Sequence, residues 1–448
     1  MKKIPHFIFC LAVLSLTWHS TSLIAGSARH YTVDGAPVLW EDGFVTFRID
    51  PNDGIDSSQN GSGGGCSLET RTETVEAKGT ILSDIIREAF AKWEEDTSLN
   101  IVEGPPLEAN VTAANMGGFL VNAGGEYTAE DCYTIGPDAP GCKNPIVIDE
   151  FGTIVQSLFG TCADYALIGV TSLMPLVASD AQATIASPDI RAAETIINTS
   201  CFGQVPTPNS ACQGSSFGAS CPAGGVNLEQ LTGVIVHEIG HYLGLDHSLV
   251  NKADFQNCFS FPPSEACDVD NIPTMIPFSL ASIGAAVSEL HADDKATIQR
   301  YYPPDGFAAT TCTIRGTLRR LADNQAWRCE EVVARVSNDP LSSIAAISGS
   351  DGAVRFTQGI EGESGTAGTN RENCQSNCGF YSIQVPGDQI YTLRTQGFET
   401  DILDDSVDFT AGPCRPTTSN DGALDNPVAA SEFFCPAGST VVKDILTN

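Results

Sequence analysis

Eleven consecutive residues constrain this chain more than anything else in it. His237-Glu238-Ile239-Gly240-His241-Tyr242-Leu243-Gly244-Leu245-Asp246-His247 reads H-E-x-x-H-x-x-G-x-x-H. On a helix, His237 and His241 lie four residues apart, so both imidazoles leave the same face. A third ligand on a straight continuation would point elsewhere. Gly244 removes that obstacle, because glycine readily takes the left-handed backbone that ends a helix and turns the chain back. His247 can then close a three-histidine site from another direction. Three neutral ligands leave a fourth position of a zinc ion open to water, the pattern of a catalytic rather than a structural site. Glu238 stands where a carboxylate can take that water's proton.

The flanking sequence supports a helix through this stretch. Leu228, Leu231, Ile235, Ile239 and Leu243 give a buried stripe,. Asn227 is a fair N-cap, with Gln230 three residues on,. Two histidines on an amphipathic helix are often packing or surface residues. Five specified positions in eleven, with glycine at the helix end, are much harder to obtain that way.

Composition narrows the partners. The formal charge is −32, from 55 acidic and 23 basic residues. Such an excess argues against nucleic acid and against an anionic membrane surface. Lys2 and Lys3 precede a short apolar run, Phe7 to Leu16, and small residues follow at Ala25-Gly26-Ser27-Ala28. This reads as an export signal over residues 1–28, too short to span a bilayer, and no later stretch promises a membrane helix. The expected setting is extracellular. Fifteen cysteines then remain after Cys10, and disulfides are the expected fate of most of them,. Cys132–Cys142, Cys258–Cys267 and Cys312–Cys329 are the local candidates, with Cys414 and Cys435 a further staple. Spacing cannot fix connectivity.

Along the chain, Phe44 to Ile49 alternates as a strand, and Asp50 to Gly65 is a Gly/Ser/Asn/Asp-rich loop,. Leu82, Ile85, Ile86, Ala89, Phe90 and Trp93 form a helical stripe that should pack on a sheet, with Ser83, Arg87, Lys92 and Glu94 off it,. Pro145 to Ile148 reads as a buried strand running into Asp149-Glu150-Phe151-Gly152. An acidic pair before glycine suits a calcium loop, and it suits a solvated turn equally. Residues 166–170 and 194–197 are further strand candidates, and a cysteine-bearing insertion, Cys201 to Cys221, precedes the histidine helix.

Over roughly residues 30–303 the chain resembles the matrixin branch of the metzincin metalloproteases. Ser248 follows the third histidine as in that branch. Pro273-Thr274-Met275-Ile276-Pro277 resembles the Met-turn, a tight turn whose methionine lies beneath the metal. Pro277 stands where astacin- and serralysin-like relatives have a tyrosine ligand. Leu290 to Ile298, with Asp293 and Asp294, resembles the last matrixin helix. The resemblance implies a zinc endopeptidase acting on a protein or peptide laid along an edge strand. Zinc would be held by His237, His241 and His247, with Glu238 as the catalytic base. Gly244, Met275 and Asp293 would support the site. One aspartate of the 293–294 pair would brace the Met-turn, and the other could receive a freed N-terminal ammonium. The link from His247 to Met275 is longer than usual in the family. Outside the signal and the motif only His30 and His291 remain of seven histidines, so a second three-histidine zinc site cannot be built. Little sequence precedes the first strand, so no inhibitory prodomain is expected.

Tyr301-Tyr302-Pro303-Pro304 reads as a boundary. Beyond it come short strand candidates at 313–318, 332–336, 353–356, 380–385 and 391–394, with Asp351-Gly352 as a hairpin turn,. Their order resembles the transthyretin-like or carboxypeptidase-regulatory-like sandwich. The expected class is α+β: a zincin-like domain at 29–304 with a twisted mixed sheet and long helices, then a small all-β sandwich at 305–400. An acidic, loop-rich extension would cover 401–448. The sandwich carries no catalytic cluster, and support, or attachment to a substrate or surface, is its expected role. Two rival classes stay open: an extracellular adhesin or matrix protein with a vestigial zinc site, and a zinc hydrolase of a non-peptide bond.

Overall fold

A computed structural model describes residues 37–51, 82–124, 142–160, 169–177, 185–200, 228–248, 250–251, 258, 269–276, 288–321, 324, 331–337, 339–347, 379–396 and 432–447. Expectations for the export signal, the loop at 52–65, Asn227, Pro277, residues 353–356 and the Asp351-Gly352 turn fall outside these. Among the described residues, no helix is long and apolar enough to cross a membrane.

The described chain is mixed α and β, with several sheets. The first half runs β1 (Leu39–Trp40), β2 (Phe44–Ile49), α1 (Leu82–Glu94), β3 (Asn100–Glu103), β4 (Pro145–Asp149), α2 (Thr153–Phe159), β5 (Gly169–Val177), β6 (Ile185–Asn198), α3 (Leu228–Tyr242) and α4 (Ala292–Tyr301). β3, β2, β4 and β6 lie side by side and parallel, while β1 pairs briefly with β6. β5 runs antiparallel to β6 and pairs with no other described strand. A mostly parallel sheet with one antiparallel edge strand is a common mixed arrangement.

Both faces of the sheet are covered, and β4 records it. All five of its residues are buried. Ile146 and Ile148 enter the core under α1 and α3, whereas Val147 enters a second cluster with Ile154, Val155 and Phe119. That is the two-residue period of a strand reading out two layers. The α1 stripe from Leu82 to Trp93 is buried against this core as its spacing predicts, and each such side chain contributes about 1.5–3 kcal/mol,. Ser83 is buried as well, although off the stripe, and accepts a hydrogen bond from Arg87.

The second half begins with the short α5 (Phe307–Thr310), then β7 (Thr311–Arg320), β8 (Glu331–Val336), β9 (Ile344–Ile347), β10 (Phe380–Pro386), β11 (Gln389–Gln396), β12 (Phe433–Cys435), β13 (Thr440–Val442) and β14 (Ile445–Thr447). One sheet runs β10-β7-β13, with β14 also on β7, and the other runs β12-β11-β8-β9. Their inner faces share one apolar core. Three of these strands come from the segment expected to be a loop-rich extension. β12 pairs with β11, while β13 and β14 pair with β7, so residues 433–447 belong to the sandwich. At the junction of β13 and β14 the Lys443 carbonyl passes directly over Gly316, where any side chain would overlap it. The glycine of the Arg315-Gly316-Thr317 run is set by that approach.

The disulfide pattern departs from expectation. Cys312 on β7 bonds Cys435 on β12, joining the two sheets. The Cys312–Cys329 and Cys414–Cys435 pairings are therefore wrong. They were chosen by nearness in sequence, whereas β12 returns beside β7 only after both sheets are built. Cys142 and Cys258 are also disulfide-bonded, with partners outside the described residues.

Candidate metal centre

The site is built from the end of α3. His237, part-exposed, and His241, buried, leave one face of it a turn apart, and the opposite face, with Leu231, Ile235 and Ile239, fills the core. Helix ends leave carbonyls without helical partners, and here aromatic side chains from distant elements take them. Trp40 Nε1 donates to Tyr242 O at 2.8 Å, and the Tyr302 hydroxyl donates to Leu243 O at 2.8 Å. At Gly244 the backbone turns left-handed, with φ +99°. Gly244 N–H donates to His241 O and Leu245 N–H donates to Gly240 O. The reversal carries Leu245, Asp246 and His247 back along the helix face.

Three imidazoles consequently meet. His241 Nε2 lies 3.0 Å from His247 Nε2, which lies 3.2 Å from His237 Nε2. Nitrogens bound to one tetrahedral zinc at ~2.0–2.1 Å would stand about 3.3 Å apart. The other ring nitrogens settle the protonation of two rings. His237 Nδ1 sits 2.7 Å from Thr274 O, and His241 Nδ1 sits 2.9 Å from Leu245 O. A carbonyl only accepts, so each Nδ1 carries a hydrogen, and in the neutral ring each Nε2 then presents a lone pair inward. Converging lone pairs repel unless a cation lies between them, so the donor set fits a divalent ion. These histidines are the only group of three or more potential ligands found among the described residues.

Met275 is buried, and a methyl added at Gly240 would overlap both its sulfur and the Trp93 ring. Gly240, the residue before His241, is thus small because Met275 and Trp93 pack against it. Asp294, rather than Asp293, braces this turn. Its carboxylate accepts from Thr274 N–H at 2.9 Å and from Met275 N–H at 3.1 Å. Thr274 in turn orients His237, and Met275 O accepts from Ser248 N–H, next to His247. Burial, the largest single influence, would lower the pKa of His291, but Asp294 and Asp270 together outweigh it and raise the pKa above the ordinary value.

Asp293 does something different. It accepts from the Ser248 hydroxyl at 2.5 Å and from the backbone N–H of Ala345, on β9, at 2.7 Å. Burial pushes its pKa up to about 7. The place where an N-terminal ammonium was expected is occupied by a strand of the sandwich.

Glu238 points from the helix toward the edge strand β5. The Thr171 hydroxyl lies 2.6 Å from Glu238 Oε2 and 3.1 Å from Glu238 O, and Thr195 Oγ1 lies 2.8 Å behind it. Gly169, two residues earlier on β5, leaves the room the carboxylate occupies, because a Cβ there would overlap it. Sequence reasoning missed Thr171 and Gly169. The only trace was a strand candidate at 166–170, slightly early of the observed β5.

The proposed calcium loop takes another form. Asp149 Oδ2 accepts from Ile154 N–H and Val155 N–H, both at 2.9 Å, and so caps the start of α2,. Asp149 and Glu150 are buried and join no group of three ligands among the described residues. Burial of both side chains is at odds with a solvated turn.

No protein-family model matches this sequence, and no curated protein matches it either.

Proposed function

We propose that the chain is a secreted, zinc-dependent endopeptidase similar to the matrixin branch of the metzincins. One observation carries the reading: two imidazoles whose Nδ1 atoms are taken by backbone carbonyls turn their Nε2 atoms toward that of a third ring, on the helix that also carries the buried Glu238. His237, His241 and His247 would hold the ion. Zinc, when bound, would polarise the scissile carbonyl and bring the pKa of its water to about 7.

The remaining steps belong to side chains. Glu238 takes the proton of the attacking water and later delivers it to the leaving amine. The Thr171 hydroxyl fixes the rotamer of that carboxylate by holding Oε2. The edge of β5 that no other described strand pairs offers main-chain groups to an extended peptide, which suits a substrate recognised by its backbone,.

Glu238→Ala should keep bound zinc while casein cleavage falls by about 10²–10⁴-fold. Zinc content by atomic spectroscopy and casein digestion check this on the same preparation. Cleavage at the wild-type rate would sink the mechanism. A zinc-loaded wild type that leaves a broad panel of proteins uncut would sink the substrate class.

A further inference from the structure

Strand β9 is the outermost of the described strands in its sheet, and an edge strand presents backbone groups that its own sheet cannot satisfy. Ala345 N–H on β9 is spent on Asp293 of α4, whose other oxygen accepts from Ser248, the residue after His247. Three residues further along the same segment, Asn251 Oδ1 accepts from Arg335 of β8 at 2.5 Å and from Ser343 at 3.2 Å. Arg335 also donates to Ser343 at 2.7 Å. Asn251 has a left-handed backbone, φ +62°, and its amide donates to Asn271 O, shortly before the Met-turn. Between these polar contacts Val250 packs with Val333 and Ala345 of the sandwich. The segment carrying the third histidine is thus gripped at residues 248, 250 and 251, directly or through one side chain, by β8, β9 and Ser343.

The helix between the halves is shared in the same way. Ile298 of α4 and Tyr302 lie in the core under the metal helix, while Ala292 and Ala296 pack on the sandwich core. Arg300 donates to Ser382 O on β10.

We infer that the β-sandwich is a positioning element of the metal centre, its β8–β9 edge holding the segment that delivers His247. Arg335 and the Asp293–Ala345 contact act through Ser248 and Asn251 and do not touch the ion. The inference rests on reading the three histidines as a metal site. Partners of this kind set ligand orientation, and their loss typically weakens a metal by about 10–100-fold.

The test measures zinc affinity, not activity, by competition with a chromogenic chelator, using the full chain. Asp293→Ala and Arg335→Met are each expected to weaken zinc by roughly tenfold or more. Asp293→Asn should restore most of the loss. Its carbonyl can still accept from Ala345 N–H, and the Ser248 hydroxyl can turn to accept from its amide. Phe434→Ala, exposed on β12 at the opposite edge of the same sheet, should bind zinc as the wild type does. If Asp293→Ala does not fold, Arg335→Met carries the test. A folded Arg335→Met that melts earlier yet keeps wild-type zinc affinity would overturn the inference, since the sandwich would then be only a neighbour. A wild type that binds no zinc would instead overturn the metal-site reading, and this inference with it.

Discussion

Around the metal helix the protein buries Glu238, His241, Asp246, His247, Asp293 and Asp294, whereas the sandwich core is lined by Ile314, Leu318, Val332, Tyr381, Ile383 and Leu393. Glu331 is the one buried charged residue among the described residues of the sandwich. Buried polar groups cost stability unless each finds a partner, and around the helix the partners come from far apart in sequence. Trp40, Thr171, Asp294 and Tyr302 each donate to or accept from the site or the helix end. The sandwich meets its smaller need with apolar layers and one covalent tie between sheets. Polarity is concentrated where an arrangement of atoms must be held.

The largest effect expected from this contrast lies in the sandwich. Replacing Cys312 and Cys435 together by alanine opens a loop with a sequence separation of 123. Loop-closure entropy puts the loss at about 5 kcal/mol, read as a lower urea midpoint without reductant. A loss below about 1 kcal/mol would mean that the apolar layers suffice alone.

The next effect tests a buried acid of the first half away from the metal. Glu194 on β6 accepts from Val121 N–H, Asn122 N–H and the Asn122 amide, yet burial dominates and pushes its pKa from 4.5 up to about 7. A folded-state pKa raised above the unfolded one means that the native form holds its proton longer. Stability from this group is therefore fully present below about pH 4.5 and lost as pH rises toward about 7, on the order of 3 kcal/mol,. Urea midpoints across that range should fall for the wild type and fall less for Glu194→Gln. Parallel slopes would remove Glu194 as the cause.

The smallest effect concerns the carboxylate's support. Thr171→Val keeps the shape of the side chain and removes one hydrogen bond to a charged group, a loss of about 1.5 kcal/mol,. The expected result is kcat lowered roughly tenfold with KM and zinc content little changed. An unaltered kcat would show that Glu238 holds its rotamer by packing against β5 alone.

Much of the centre was legible because its logic is local. The spacing of His237, His241 and His247 needs only a helix and a glycine turn, and the α1 stripe needs only a period of 3.6. Met275 was legible from the resemblance. What lay hidden depends on chain segments that meet late. Nothing near residue 171 announces that its hydroxyl will face a glutamate 67 positions on. The roles of Asp293 and Asp294 could not be told apart, because the partner that distinguishes them, Ala345, arrives with the sandwich. Strands of three residues, such as β12 to β14, leave too short an alternation to read.

The β5–β6 ladder slips register on either side of Pro175. Proline has no amide hydrogen to offer a neighbouring chain. The row of donors along that rim is therefore interrupted part-way. A peptide of the kind proposed above would pair with the portion from Gly169 to Met174 alone, which would limit the length of backbone gripped at once. The same gap denies copies of this protein a continuous template for stacking rim to rim.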